Sequence, residues 1–364
     1  MLNLLNYIIG MKHVLVNLKV TIGLIMEFLK QKLTTLSVIS FLMVNGSINY
    51  VHAEHVHARP DSHAPIGVMG DHVMDEDEFM LSYRYMEMQM EGNRTGTNRV
   101  SAPLPGFMVS PLSMDMKMHM FGAMYAPSKK LTLSIMVPVL DIAMDHRVNM
   151  NGVEFTTESD GIGDITLSGV YQLSQSEGGN LLFNLSLNVP TGSIDEKDEL
   201  PVSMGVAVQL PYPMQTGSGT YDVTPGLTYT MLYSQWSWGV QGLYTYRISD
   251  NDNGYTLGNK LNASVWAAKP LSHSFSLSAR LNALDWENVD GADTELAAMP
   301  TVPTKKPELR GGSRIDALFG VNYVAHSLNH LRLAFEVGVP VYQDLNGPQL
   351  ETDLVFTLGT QYTF

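Results

Sequence analysis

Residues 354–364 alternate along an extended chain. Leu354, Phe356, Leu358, Thr360, Tyr362 and Phe364 face one way, and Val355, Thr357, Gly359, Gln361 and Thr363 the other. The same period of two recurs upstream. Leu181, Phe183, Leu185, Leu187 and Val189 oppose Leu182, Asn184, Ser186 and Asn188, and Phe275, Leu277, Ala279 and Leu281 oppose Ser276, Ser278, Arg280 and Asn282. One face stays apolar while the other carries Ser, Asn and charge, which is a strand pattern and not a helical one. Twelve strands are predicted, near 79–90, 114–126, 131–142, 164–173, 181–190, 221–233, 236–248, 258–269, 273–284, 313–325, 330–341 and 353–364.

Alternation alone also suits a soluble sandwich. Link lengths separate the two. After even-numbered strands the links are short, as in "APSKK" and "HSLN"; after odd-numbered strands they are mostly long, at 91–113, 143–163, 191–220, 249–257, 285–312 and 342–352. Short turns at one end and long loops at the other belong to an even-stranded outer-membrane barrel. Trp236, Trp238, Tyr244 and Tyr246 share one face. Ten steps of roughly 3.3 Å, tilted near 45°, span about 24 Å, close to the ~25 Å apolar band between aromatic girdles. The expectation is an all-β fold: a single antiparallel transmembrane β-barrel of about twelve strands, with short periplasmic turns and long extracellular loops. Its apolar face meets lipid.

Composition agrees. Charged residues make up 16 % of the 364, against about 25 % in ordinary domains. Cys is absent, so there is no disulfide frame and no thiolate metal site. The beginning reads as an export signal with its start at Met26: Lys30 and Lys32, an apolar run over 33–44, then Val-His-Ala ending at Ala53. Cleavage after Ala53 delivers residues 54–364 to the bacterial outer membrane. The net charge of −14 disfavours nucleic acid as a partner; the expected partners are outer-membrane lipid, the barrel-assembly machinery and a small-molecule solute.

Two motifs carry a family resemblance. Gly161, Gly163 and Asp164 open one strand, and Pro190, Thr191 and Gly192 end the next. This hairpin resembles that of a family of outer-membrane transporters named for the MetA pathway of phenol degradation. The resemblance extends over about residues 79–364 and implies a barrel moving small, often hydrophobic, compounds. The aromatic end of the last strand, Phe364 with Tyr362 and Phe356, resembles the assembly signal of bacterial outer-membrane proteins.

Phasing assigns Arg84, Lys117, His119, Asp164, Arg247, Arg280, Asp316, Arg332 and Glu336 to the lumen, as a salt-bridge ladder or a selectivity constriction. Methionine is concentrated early. Met86, Met88 and Met90 phase inward with Arg84, whereas Met114, Met116, Met118, Met120 and Met124 oppose Asp115, Lys117 and His119 and so phase toward lipid. Thioether with imidazole suits a soft metal such as copper, with His55, His57, His72, Met86, Met88 and Met90 as ligands; the simpler reading of these methionines is packing, a third is a track for a hydrophobic substrate, and no other cofactor is expected. Residues 54–78 are too polar and irregular for a strand, which leaves a periplasmic tail or a plug in the lumen. Pro138, Pro190 and Pro340 mark places where strand pairing ends or bulges. No Gly-x-Ser-x-Gly or comparable nucleophile motif is present, so an enzyme is not expected. The leading function is passive passage of small molecules; the alternatives are a copper-handling barrel and a structural or adhesive one.

Overall fold

The computed structural model describes residues 59–364, apart from Val202, Met204, Met299, Pro300, Asn329 and His330. The export signal, its start and its cleavage point lie outside the described residues. Thirteen strands form one sheet, and eleven of them follow one another round a closed ring. The ring runs through β1 (Phe79–Gly96), β3 (Val109–Ser128), β4 (Leu131–Val148), β6 (Ile165–Ser176), β7 (Gly179–Val189) and β10 (Tyr221–Leu232). It continues through β11 (Ser237–Ile248), β13 (Lys260–Pro270), β14 (Phe275–Trp286), β16 (Gly312–Ala325) and β17 (Leu331–Thr363), which pairs back onto β1. Two strands hang on the outside of this path, β2 (Asn98–Val100) against β1 and β5 (Glu154–Ile162) against β4. Two short pairs lie in the loops: β8 (Lys197–Glu199) with β9 (Ala207–Gln209), and β12 (Tyr255–Thr256) with β15 (Asp290–Gly291).

Eleven straight strands cannot close a ring in which every pair is antiparallel. β17 resolves the parity. Residues 331–345 pair with β16 and residues 345–363 pair with β1, both antiparallel, so this 33-residue run reverses direction and crosses twice. Gln343 and Thr352, one on each arm, exchange hydrogen bonds. The wall therefore makes twelve crossings. The seam holds from Met80↔Thr363 to Gly96↔Leu345, and the Phe364 N–H donates to the Phe79 carbonyl at 2.8 Å.

Burial is inverted relative to a soluble protein. Leu81, Leu133, Leu227, Leu281, Phe319 and Leu358 are exposed, while Ser82, Asn184, Thr228, Asn282, Asn322 and Gln361 are buried. The outward apolar band ends at a definite rung. Tyr85, His119 and Val139 sit side by side, and the next outward rung is Glu87, Lys117 and Asp141. Above it the outward face carries charge, which places that part of the wall outside the hydrocarbon.

This rung corrects the phasing of the second predicted strand. In β3 the exposed positions are Asp115, Phe121, Tyr125 and Pro127, whereas Met114 and Ala126 are buried. Lys117 and His119 therefore point outward, and Met114, Met116, Met118, Met120 and Met124 point into the lumen. His119 meets the Tyr83 hydroxyl at 2.8 Å on that outer face. The rule that polar residues face the pore holds only within the bilayer, and β3 rises above it.

Other expectations shift at the outer ends. Residues 154–162, expected as loop, form β5, and the expected loop 342–352 is part of β17. The three prolines sit where ladders change. Pro138 separates the residues of β4 that pair with β6 from those that pair with β5, Pro190 follows the end of β7, and Pro340 adjoins the bulge at Ile315/Asp316.

The inversion is testable. Phe319→Arg, on the outward face at mid-height, should destabilise the barrel by roughly 2–4 kcal/mol. Asp115→Arg, above the band, should change stability by less than about 1 kcal/mol. Urea titration in lipid vesicles followed by tryptophan fluorescence measures both.

Candidate functional site

The inward face has three zones: a filled periplasmic half, a methionine-lined wall, and an outer end covered by loops. In the first, residues 59–78 lie against the inward side chains. Their backbone groups are taken up by the wall, as buried backbone polar groups must be. Asn184 donates to the Gly70 carbonyl at 2.7 Å, Gln241 to Met69 at 2.8 Å, Ser276 to Pro60 at 2.8 Å and Ser237 to Asp61 at 2.6 Å. Arg332 donates to the Ala64 carbonyl, and the Met74 N–H donates to Thr132 at 2.9 Å. Ala64 and Val68 pack on the buried Trp266. Contacts come from β4, β7, β11, β13, β14 and β17, so the segment is held from most of the circumference.

Of the charges assigned to the lumen, Arg84, Arg247, Arg280, Asp316, Arg332 and Glu336 do face inward. Arg280 and Glu336 form a bidentate pair, Nε–Oε1 2.9 Å and Nη2–Oε2 2.7 Å, with both side chains buried. Gly67 lies directly on it: a Cβ there would collide with Arg280 Nη2 and Glu336 Oε2. The segment is therefore fitted closely to the pair, and any side chain at this position would have to displace it. Arg247 pairs with Asp222, and Asp316 with Arg314 at 2.9 Å. Arg332 is held by neutral acceptors, Asn322, Gln361 and the Ala64 carbonyl, and the Arg84 Nε has no hydrogen-bond partner among the described residues, so pairing neutralises part of the lumen.

Asp164 has a different place from that expected. It accepts from the Gly192 N–H at 3.0 Å and from the Ser218 N–H and hydroxyl at 2.9 and 2.6 Å. Thr191 Oγ1 accepts from the Ile165 N–H at 2.9 Å and donates to the Gly163 carbonyl at 2.8 Å. The Gly-x-Gly-Asp and Pro-Thr-Gly motifs thus bind each other and fasten the 191–220 loop to the rim.

That loop and 285–311 cover the outer end. Leu210 and Met214 pack against Met114, Ile142 and Met144, with Met90, Met116 and Leu140 alongside. Tyr212, Tyr255, Val289 and Leu296 form an adjoining cluster. Between this cover and residues 59–78 the inner wall of β1, β3 and β4 is thioether. Cross-strand partners are Met86↔Met118, Met88↔Met116 and Met90↔Met114, continuing to Met144 opposite Met114. Met86, Met88, Met116, Met118 and Met120 are half-buried. The Arg314 guanidinium rests 3.4 Å from Met88 Sδ.

Of the donors expected for copper, His72 and Met90 are set at opposite ends of the lumen. His55 and His57 lie outside the described residues. His72 lines a cavity of about 1390 Å³ at the periplasmic mouth, together with Lys130 and Phe364. Met90 belongs to the cluster at the opposite, outer end. His72 instead meets Asp71, Nδ1–Oδ1 3.0 Å. Burial pushes the Asp71 carboxyl up, but His72, His63 and Arg332 together outweigh it and hold the group well below the ordinary carboxylate range. At the seam, Phe364 stacks near Phe79 and Tyr362, and Phe356 near Tyr85 and Phe335.

Sequence reasoning singled out charges and passed over the neutral docking residues Thr132, Gln241 and Trp266. Their signal was available: each lies on the inward face of an alternating strand.

A closed wall, apolar outside and polar or thioether inside, defines an outer-membrane β-barrel of the channel type. The chain belongs to the family described as "Putative MetA-pathway of phenol degradation", which matches residues 97–295. Among solved structures it is similar to an outer-membrane channel from Pseudomonas putida F1, at 15 % identity and a TM-score of 0.58, covering 81 % of this chain and 98 % of that one. The transport unit of the autotransporter AIDA-I from Escherichia coli gives 10 % identity and a TM-score of 0.46, covering 80 % and 93 %. The TodX monoaromatic hydrocarbon channel gives 11 % and 0.43, covering 88 % and 96 %. Only the first likeness is carried forward, and it speaks for the fold. No curated protein sequence matches the chain.

Gly67→Val should lift residues 59–78 from the wall without opening the barrel. A cysteine placed at Ser62 should then react with a bulky maleimide several-fold faster than in the parent, while unheated protein keeps its fast gel mobility. Asp164→Ala, which strands three donors to a charged acceptor, should cost roughly 3 kcal/mol and expose the 191–220 loop to protease.

Proposed function

We propose that the protein is a passive outer-membrane channel for small apolar compounds, aromatic ones among them. The thioether wall carries this reading. A water-filled pore for sugars or ions gains nothing from rows of methionine, which order water without binding the solute. An apolar solute gains burial worth about 25 cal/mol per Å² and S–aromatic contacts of roughly 0.3–1.5 kcal/mol each. Met is also unbranched, so the wall adapts to solutes of different shape. The wall lies between the two coverings, along the line any solute must follow.

Three further observations support it. Much of the lumen charge is neutralised in the Arg280–Glu336, Arg247–Asp222 and Arg314–Asp316 pairs, which weakens any field that would select ions. Among the described residues nothing resembles an energy-coupling domain, which fits movement down a gradient. The family's description places its members with phenol degradation, a chemistry of aromatic compounds. Residues 59–78 then serve as a plug that must shift for passage from the lumen to the periplasm.

The test is uptake into vesicles carrying lipopolysaccharide in the outer leaflet, which resists apolar solutes. Phenol or toluene should enter several-fold faster with the protein than without it, and arabinose should not. Met86→Asp with Met118→Asp should remove most of that gain, whereas Met86→Leu with Met118→Leu should retain it. Equal acceleration of arabinose and phenol, or indifference to the Asp pair, would overturn the reading.

A further inference from the structure

Within residues 59–78 the chain doubles back between His63 and His72. The Val68 N–H donates to the Pro65 carbonyl at 2.9 Å, making the turn, and the Ala64 N–H donates to Asp71 Oδ2 at 2.7 Å, closing the base. This brings three side chains together. His72 Nδ1 is 3.0 Å from Asp71 Oδ1, and His63 Nδ1 is 4.0 Å from Asp71 Oδ2. The two imidazoles meet edge to face with centroids 4.5 Å apart. One donor atom from each residue lies within 4.8 Å of the others.

We infer that His63, Asp71 and His72 form a binding site for one divalent first-row cation, Zn²⁺ or Cu²⁺, that clasps the two ends of the 63–72 loop. Two imidazoles and a carboxylate are the ligand set these ions favour, and softer thioether is not required. At metal–donor distances near 2.1 Å, tetrahedral donors stand about 3.4 Å apart, so the trio must close by roughly 1 Å, within reach of side-chain rotation. The ligands sit in a prepared place. His63, Asp71 and His72 all line the cavity at the periplasmic mouth, which gives an entry path and room for a fourth, exchangeable ligand. Asp71 is buried, and His63 and His72 are half-buried with Nδ1 of each within 4.0 Å of its carboxylate. The Arg332 guanidinium, which donates to the Ala64 carbonyl beside the site, adds a positive neighbour and limits affinity to a moderate, reversible range.

This goes beyond passage of apolar solutes: the cation would lock the shape of the plug loop, and the thioether wall would be untouched. It also differs from a methionine copper site, because its donors are imidazole and carboxylate at the periplasmic end.

The experiment uses the full mature chain in detergent at pH 7.5, stripped with chelator and titrated with Cu²⁺. The expected result is one Cu²⁺ per chain, an electron-paramagnetic spectrum with splitting from two nitrogens, and displacement by Zn²⁺. His63→Gln and His72→Gln should each weaken binding at least tenfold, and His146→Gln should not. Heat-dependent gel mobility checks that each variant is folded. If folding fails in either, Asp71→Asn is the substitute and should also weaken binding at least tenfold. Absence of a stoichiometric site overturns the inference. So does a site that survives His63→Gln with His72→Gln, or one lost only on replacing His55 and His57.

Discussion

Hydrocarbon offers the peptide group no partner, and everything in this molecule follows from that constraint. Each N–H and C=O within the bilayer must bond to a neighbouring strand, which leaves a closed ring as the only sheet that works. The seam between β1 and β17 is therefore the condition on which the other ten crossings depend. Its register runs unbroken from Met80↔Thr363 to Gln89↔Leu354 and is reinforced at its foot by the Phe364–Phe79 backbone bond. The doubled β17 is part of the same solution: only an even number of crossings closes an antiparallel ring.

Closure creates a second problem inside. Twelve strands enclose a cylinder roughly 25 Å across, more than inward side chains fill. At the periplasmic half the space is taken by residues 59–78, whose irregular backbone finds its partners in Asn184, Gln241, Ser237, Ser276 and Arg332. These are single side-chain bonds, each worth about 1 kcal/mol net, set against a wall of continuous ladders. The difference makes the filling separable from the barrel. Breaking several such bonds leaves the ring intact, and the buried Arg280–Glu336 pair stays satisfied by itself.

Much of this was legible in the sequence, and the boundary of legibility is physical. Between Phe79 and Tyr85, or Phe275 and Asn282, the two solvents differ sharply and the period of two reads out both strand and face. Beyond the Glu87–Lys117–Asp141 rung both faces meet polar surroundings, so the pattern no longer distinguishes them. At that rung Lys117 points outward and above it β5 continues the wall without a readable period, while His119, one rung lower within the band, meets the Tyr83 hydroxyl on the outer face. Asp164 looked like a lumen charge because it opens a strand, yet its partners Gly192 and Ser218 come from a loop whose path the local pattern does not encode. The filling of the lumen was equally hidden: residues 59–78 have no periodicity, and what holds them is complementary only in three dimensions, as Gly67 against Arg280 and Glu336 makes plain.

The choice of methionine over leucine on the inner wall of β1, β3 and β4 is the last point that needs a cause. Leucine packs as tightly and resists oxidation, and on a lipid face the two are close to interchangeable. Inside a barrel the requirements differ. A wall packed by the outer loops at one end, at Met114 and Met144, and left half-buried below, at Met86 and Met118, must present apolar surface without setting into one shape. Three rotatable bonds and a polarisable sulfur meet both needs. They also let Met88 accept the Arg314 guanidinium on one side while remaining apolar on the other. Thioether is thus the side chain that can line a passage between paired charges and greasy cargo, and its confinement to three adjacent strands marks which side of the lumen that passage follows.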